Sequence, residues 1–234
     1  MKIIDCEQGS VEWYRARIGI PTASEFHQIV TPAKGLLSKY STKYAYRLIA
    51  ERLLNRPMES VEGQTWMERG KELEPKAAAQ YEFVHEVELQ RVGFCTTDDG
   101  MLGASPDRIV KGRAAGVEIK CPSPAVHIGY LLDGPGDDYR PQVQGQLMVC
   151  EFDYVDFYAY SDRMPPRAIR NGRDEGYIKL LRDALEEFNI KLLVMLQRAK
   201  ELGVFQAYEA AVTPLDVERA DEMKREFVAP FLMP

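Results

Sequence analysis

Glu118 and Lys120 stand two residues apart in "GVEIKCPSP" (116–124), inside an otherwise apolar run that ends at Cys121-Pro122. In a β-strand, residues i and i+2 project from one face. This spacing therefore sets a carboxylate beside an ammonium, while Val117 and Ile119 turn toward the core behind them. Upstream, "SPDRIV" puts Asp107 near the start of the preceding strand, and the connection "KGRAAG" folds that strand back beside residues 117–120. Asp107 then lies within about one residue pair of Glu118 and Lys120 across the ladder.

Two carboxylates and an ammonium held that closely suit a hard divalent cation. Mg²⁺ takes oxygen ligands, keeps several waters, and relies on one or two carboxylates plus a substrate phosphate. The lysine can orient or deprotonate the attacking water and offset charge on a pentavalent phosphate. The Glu-x-Lys pattern occurs three times in the chain. Glu74 and Lys76 flank a proline in a helical context, and Glu222 and Lys224 lie in the charged C-terminal tail. Only residues 118–120 fall on an expected strand with an aspartate in the turn before it. On spacing alone, the other reading of that pair is a surface salt bridge worth about 0–1 kcal/mol.

The elements that must position these groups follow from periodicity. Thr22 and Glu25 form a capping-box pattern that predicts a helix over 22–30. A second helix is expected over 41–55, stopping before Pro57. A third is expected over 65–85, with Trp66, Leu73, Ala77, Tyr81 and Val84 inside an arc of about 80°. From 86 to 120 the period drops to two, broken by turn residues, which predicts an antiparallel meander or hairpin set. Residues 139–150 predict a helix with Pro141 in its first turn, and 154–161 a strand. A long amphipathic helix is expected over 174–202, through Tyr177, Leu181, Ala184, Phe188 and Met195, ended by Gly203. That order is an α/β core with a mixed sheet. No repeat or linker is visible, so residues 1–234 are expected to form one compact unit, with a core over about 8–173 and a helical segment over about 174–234.

Composition bounds the function classes. The chain has 234 residues, 45% hydrophobic and 28% charged, and no apolar run approaches the roughly 20 residues that cross a bilayer. "MKIIDCEQGS" lacks the basic-then-apolar pattern of a signal peptide, so a cytoplasmic protein is expected. Cys6, Cys95, Cys121 and Cys150 are scattered singly, which argues against zinc or iron–sulfur ligation. His27, His85 and His127 form no local ligand set. The net charge of −6 argues against a protein that coats nucleic acid by electrostatics alone. It is unevenly spread: residues 1–60 carry nine basic and six acidic side chains, a balance of +3, whereas 61–173 and 174–234 balance at −5 and −4.

A wider set of motifs resembles a known family. "WYRARIGIPTASEF" (13–26), "RGKELEP" (69–75), "ASPD" (104–107), "EIKCP" (118–122) and "QVQ" (142–144) occur in the order and approximate spacing of the YqaJ-type viral recombinases, the lambda-exonuclease family. The resemblance covers roughly residues 8–160. It implies a restriction-endonuclease-like, PD-(D/E)XK, α/β core with a central mixed sheet flanked by helices. It also implies Mg²⁺-dependent 5′-to-3′ exonuclease activity on double-stranded DNA, releasing 5′-mononucleotides and leaving a 3′ overhang for an annealing protein. Two Mg²⁺ ions are implied, with Mn²⁺ able to substitute. By the same resemblance Asp107, Glu118, the Ile119 backbone carbonyl and Glu74 are metal ligands, and Lys120 is the catalytic lysine. Arg17, Ser24, Ser105 and Gln142 match a pocket for the terminal 5′-phosphate. Their chemistry suits that role, since a guanidinium fork, hydroxyls and an amide all donate to anions.

Family members resemble closed homo-oligomeric rings, commonly trimers, threaded by the duplex. Encirclement would hold an acidic enzyme on DNA with few phosphate contacts. Two other readings remain open on the sequence: a restriction-type endonuclease of the same fold, and a catalytically silent DNA-end-binding recombination scaffold.

Overall fold

The computed structural model describes residues 1–58 and 64–203 of the chain. Residues 1–190 form one compact unit, to which the side chains discussed below belong, and the described residues from 191 fall to a second. Glu222 and Lys224, and the end of the expected C-terminal helical segment, lie outside the described residues, as does the Trp66 side chain.

A short strand β1 (Lys2–Ile4) leads to helix α1 (Val11–Arg17), whose N-terminus is capped by Ser10 accepting from the Trp13 amide. A 3-10 turn, Ala23–Glu25, runs into the single-turn α2 (Phe26–Ile29). Helix α3 (Ser41–Leu54) ends on Asn55 in the left-handed region, and α4 spans Gln64–His85. Strands β2 (Leu89–Gln90), β3 (Phe94–Thr96), β4 (Gly103–Ala104), β5 (Arg108–Val110) and β6 (Ala115–Lys120) follow. The chain then forms α5 (Pro124–Leu132), α6 (Arg140–Val149), β7 (Tyr154–Ala159), β8 (Arg167–Gly172) and α7 (Glu175–Glu201).

The central sheet is mixed, in the order β2-β5-β6-β7-β8. β6 pairs antiparallel with β5 and parallel with β7, and the other pairings are antiparallel. The period-two region from 86 to 120 is therefore not one meander. β3 and β4 leave the central sheet and join β1 in a separate three-stranded sheet. Four elements were not expected: β1, α1, α5 and β8. β8 hides in the sequence because its strand alternation is carried by arginine and asparagine, side chains that read as loop.

Two helices differ instructively from expectation. Thr22 precedes the 3-10 turn in extended conformation, but its side chain caps nothing. Its hydroxyl is used elsewhere, as described below. Pro75 sits inside α4, which continues through it, so Glu74 is a mid-helix residue and not the end of a broken one.

β6 is covered on both faces, which explains how charged residues sit in a central strand. On one face Val117 and Ile119 pack with Ala77, Ala78 and Tyr81 of α4, together with Val110 and Tyr158. Val84, expected to share that inward stripe, is exposed. On the other face lies α6, seated against α2 through Gly145. A Cβ at that position would come within 2.6 Å of the Phe26 ring, so the helix can approach only without a side chain there.

Candidate active site

The pairing of β5 with β6 sets Arg108 opposite Val117 and Ile109 opposite Gly116. Extending the register by one residue brings Asp107 to the level of Glu118. The Asp107 carboxylate accepts the Ile119 amide proton at 2.7 Å. Lys120, two residues along the same face from Glu118, places its Nζ 2.7 Å from Glu118 Oε1. The Glu118 side chain is only 3% exposed, yet it is well supplied with donors. Gln142 Nε2 donates to Oε1 at 2.6 Å and Gln146 Nε2 to Oε2 at 2.5 Å. These amides lie one turn apart on α6, so both reach the same carboxylate. Gln142, matched from sequence to the phosphate pocket, thus bonds to Glu118 here. Gln146 was not picked out at all, although the i, i+4 spacing of two glutamines facing an expected strand was visible.

Electrostatics distinguish Asp107 from its neighbours. Burial, and then the charge of Glu118, push its carboxyl well above the usual carboxylate range, against the lowering effects of Lys120 and the Ile119 amide. Burial also works against the Lys120 ammonium, but Glu118 and Asp107 more than offset it and hold its pKa above the usual lysine value. The Lys120 ammonium also lies 5.1 Å from the Tyr139 ring centroid. Two carboxylates therefore share one ammonium in a buried place, an excess of negative charge.

Glu74 approaches from α4, and its Oε1 accepts from Arg108 Nη1 at 2.6 Å. The same guanidinium nitrogen donates to the Asp107 backbone carbonyl at 2.5 Å. Among the described residues no three His, Cys, Asp or Glu side chains converge in a ligand cluster. The donors that do converge, Asp107 and Glu118 with the nearby Ile119 peptide, are hard oxygens carrying uncompensated charge. That donor set fits a hydrated Mg²⁺, which needs few protein ligands. Glu74 and Asp107 open onto one cavity of about 1480 Å³, which Trp13, Gln8, Arg91 and Arg113 also line.

The second group of side chains gathers two residues upstream of Asp107. Arg17 Nη1 donates to Ser105 Oγ at 3.0 Å, and Nη2 lies 3.4 Å from Thr22 Oγ1. Thr22 Oγ1 is in turn 3.3 Å from Ser24 Oγ. The Arg17 guanidinium stacks 4.0 Å from the Trp13 ring centroid, and Trp13 Nε1 donates to both Ser105 Oγ and the Gly93 carbonyl. Burial pulls the Arg17 pKa below its usual value, with Tyr44, Glu25 and Glu51 opposing. Three of the four residues matched to a phosphate pocket are thus brought into one network. Thr22, read from the sequence as a helix cap, and Trp13 join them.

This fold and these motifs have known counterparts. The alkaline exonuclease LHK-Exo from Laribacter hongkongensis superimposes with a TM-score of 0.74 at 29% identity, over 83% of this chain and 98% of that one. The structure of LHK-Exo in complex with dAMP matches with a TM-score of 0.75 at 30% identity and the same coverage. A phage-related exonuclease from Haemophilus somnus 129PT shares the fold, with a TM-score of 0.57 at 16% identity over 76% of this chain and 96% of that one. Among curated protein sequences none matches. The mixed sheet flanked by helices is the restriction-endonuclease-like architecture of the alkaline exonuclease. The YqaJ-like viral recombinase domain matches residues 12–153, more than half of the chain, and the protein belongs to that family.

Proposed function

We propose that the chain is a Mg²⁺-dependent 5′-to-3′ exonuclease acting on the ends of double-stranded DNA and releasing 5′-mononucleotides. Family membership and the match to an alkaline exonuclease support a DNA exonuclease of the recombinase family. The observation that carries the finer reading is that Arg17 and its hydroxyl partners gather on Ser105, two residues before Asp107 in the short link between β4 and β5. Two residues of chain reach at most about 7 Å, the scale of one nucleotide step. A terminal 5′-phosphate held by Arg17, Ser105, Thr22 and Ser24 would therefore set the next phosphodiester at the Asp107–Glu118 pair. The structure of LHK-Exo with dAMP, a 5′-mononucleotide, is in keeping with such a site.

In this mechanism Asp107 and Glu118 would hold Mg²⁺, with the Ile119 carbonyl and Glu74 as the further ligands. Bound there, the ion would supply Lewis-acid stabilisation of the charge on the phosphate. Gln142 and Gln146 fix both oxygens of Glu118, so its carboxylate is oriented before substrate arrives. Lys120, held by Glu118, stands where it can orient the attacking water and offset charge developing on the phosphate. Arg17 and its hydroxyl partners bind the leaving end and set the register of the cut. For retention on DNA, the acidic balance of the chain favours topology over charge. A homo-oligomeric ring, with three copies, and hand-over of the 3′ overhang to an annealing protein complete the proposal.

The test uses linear duplex labelled at either 5′ or 3′ end, with and without terminal phosphate, in Mg²⁺ and in EDTA. Mononucleotides are expected from 5′-phosphorylated ends in Mg²⁺ alone. Cleavage of covalently closed circles at a comparable rate would make the enzyme an endonuclease and sink the proposal.

A further inference from the structure

We infer that Arg47 is a specificity-determining positioning residue: it occupies the carboxylate that would otherwise close the Arg17 guanidinium to a terminal 5′-phosphate. The inference rests on the end-binding reading above. Arg17 meets hydroxyls and an indole face, and no carboxylate among the described residues is within ion-pair range of it. Two carboxylates nevertheless border it: Glu25 follows Ser24, whose hydroxyl lies 3.3 Å from the Thr22 hydroxyl that faces Arg17, and Glu51 takes the amide of Gly19, two residues past Arg17. A half-buried arginine beside an unengaged glutamate forms a charge-assisted pair, and such a pair would compete directly with phosphate.

Both carboxylates are diverted. Glu25 takes Arg47 Nη2 at 3.1 Å and the Gln28 side-chain amide. Glu51 accepts the Gly19 amide at 3.0 Å and the Met58 amide at 3.3 Å, with Arg47 Nε at 3.9 Å. Arg47 itself lies 4.6 Å from the Tyr44 ring centroid. Tyr44, Arg47 and Glu51 recur at i, i+3 and i+7 along α3, one face of the helix, turned toward the segment that carries Arg17 and the hydroxyls. The neighbouring Arg52 clamps the same segment by donating Nε and Nη2 to the Gly19 carbonyl at 3.0 and 2.7 Å. Gly19 has φ +67°, and a Cβ there would lie 2.2 Å from Arg52 Cγ, so only glycine fits. With the backbone fixed in this way, the partner of Arg17 is decided by which cation holds Glu25.

The test measures binding of the full chain, in EDTA, to a short blunt duplex with either a 5′-phosphate or a 5′-hydroxyl. Arg47→Gln is expected to lower the preference for phosphate roughly tenfold, the scale of one charge-assisted contact. Arg47→Gln combined with Glu25→Gln should return it to the wild-type level, because the competitor is gone. Arg47→Lys should keep most of it. Glu25→Gln alone should hold the preference at or above wild type, a result readable even if Arg47→Gln fails to fold. Unchanged preference in Arg47→Gln overturns the inference, as does a double variant that stays as low as the single, or a loss in Glu25→Gln. A wild type without phosphate preference overturns the end-binding reading and this inference together. Release of nucleotides in Mg²⁺ by the same preparations then shows separately whether the nuclease chemistry stands.

Discussion

Two buried acidic sites lie on opposite faces of the same sheet, and they differ in how their charge is met. On the face covered by α4, Asp156 of β7 stands in register with Val117. Its carboxylate accepts the Tyr81 hydroxyl at 2.6 Å and the Arg170 guanidinium at 3.0 and 2.9 Å. One carboxylate meets one fork and one hydroxyl, and Arg170 also stacks 3.9 Å from the Tyr154 ring centroid. Nothing is left over. On the face covered by α6, Asp107 and Glu118 share a single ammonium, and the Asp107 carboxyl is driven upward by burial and then by its neighbour. A satisfied charge stabilises the fold. An unsatisfied one is a cost that persists where something is to bind.

The largest test of this contrast is Asp107→Asn. Removing one of two competing carboxylates should abolish Mg²⁺-dependent nucleotide release, by roughly a thousandfold or more. The melting temperature of the metal-free protein should stay level or rise, because the substitution relieves like-charge repulsion and leaves an acceptor for the Ile119 amide. Added Mg²⁺ should raise the melting temperature of the wild type by linkage, and that shift should vanish in the variant. A variant that melts well below the wild type would mean that Asp107 is part of the structural framework.

Lys120→Met sharpens the same point from the other side. It keeps the stem's packing but removes the only ammonium from the pair. Activity is expected to fall roughly a hundredfold. Stability should fall too, by about 1–3 kcal/mol in a denaturant titration, since Glu118 stays buried with only two amides. A variant as stable as the wild type would show that Gln142 and Gln146 suffice to hold Glu118.

These contrasts were unevenly legible in the sequence. Asp107, Glu118 and Lys120 sit on one hairpin with a short connection, so strand periodicity and loop length were enough to bring them together. Asp156 gave no such signal. Its partners, Tyr81 and Arg170, come from a helix and a strand distant in sequence, and the strand holding Arg170 read as loop. In the cluster around Arg17, the same hydroxyls that cap helices also receive guanidinium groups. Thr22 was therefore placed on a capping box, while the structure turns it toward Arg17. The division of the strands from 86 to 120 between two sheets is a tertiary choice that no local period records.

Asp156→Asn should produce the converse of Asp107→Asn. Without the charge, Arg170 loses its bidentate partner and Tyr81 an ionised acceptor, at a cost of about 2–4 kcal/mol in a denaturant titration. At a temperature where the variant is folded, its metal-dependent rate should stay near wild type. A large loss of rate in a fully folded variant would tie Asp156 to the chemistry and erase the distinction between the two faces.

Tyr81→Phe makes the smallest change and the cleanest comparison. It deletes only the hydroxyl that donates to Asp156, while the ring keeps its place among Ala77, Ala78, Val117 and Ile119 and its edge contact with Tyr158. Asp156 still has both contacts to Arg170, so the expected loss is that of one hydrogen bond to a charged acceptor, about 1–2 kcal/mol. The Tyr81 ring packs directly behind β6, one face away from Glu118. If that packing alone positions the strand, the rate of nucleotide release should not change, because the ring is retained. A rate that falls in step with stability, at temperatures where the protein remains folded, would instead show that the Asp156 network on one face controls the placement of Glu118 and Lys120 on the other.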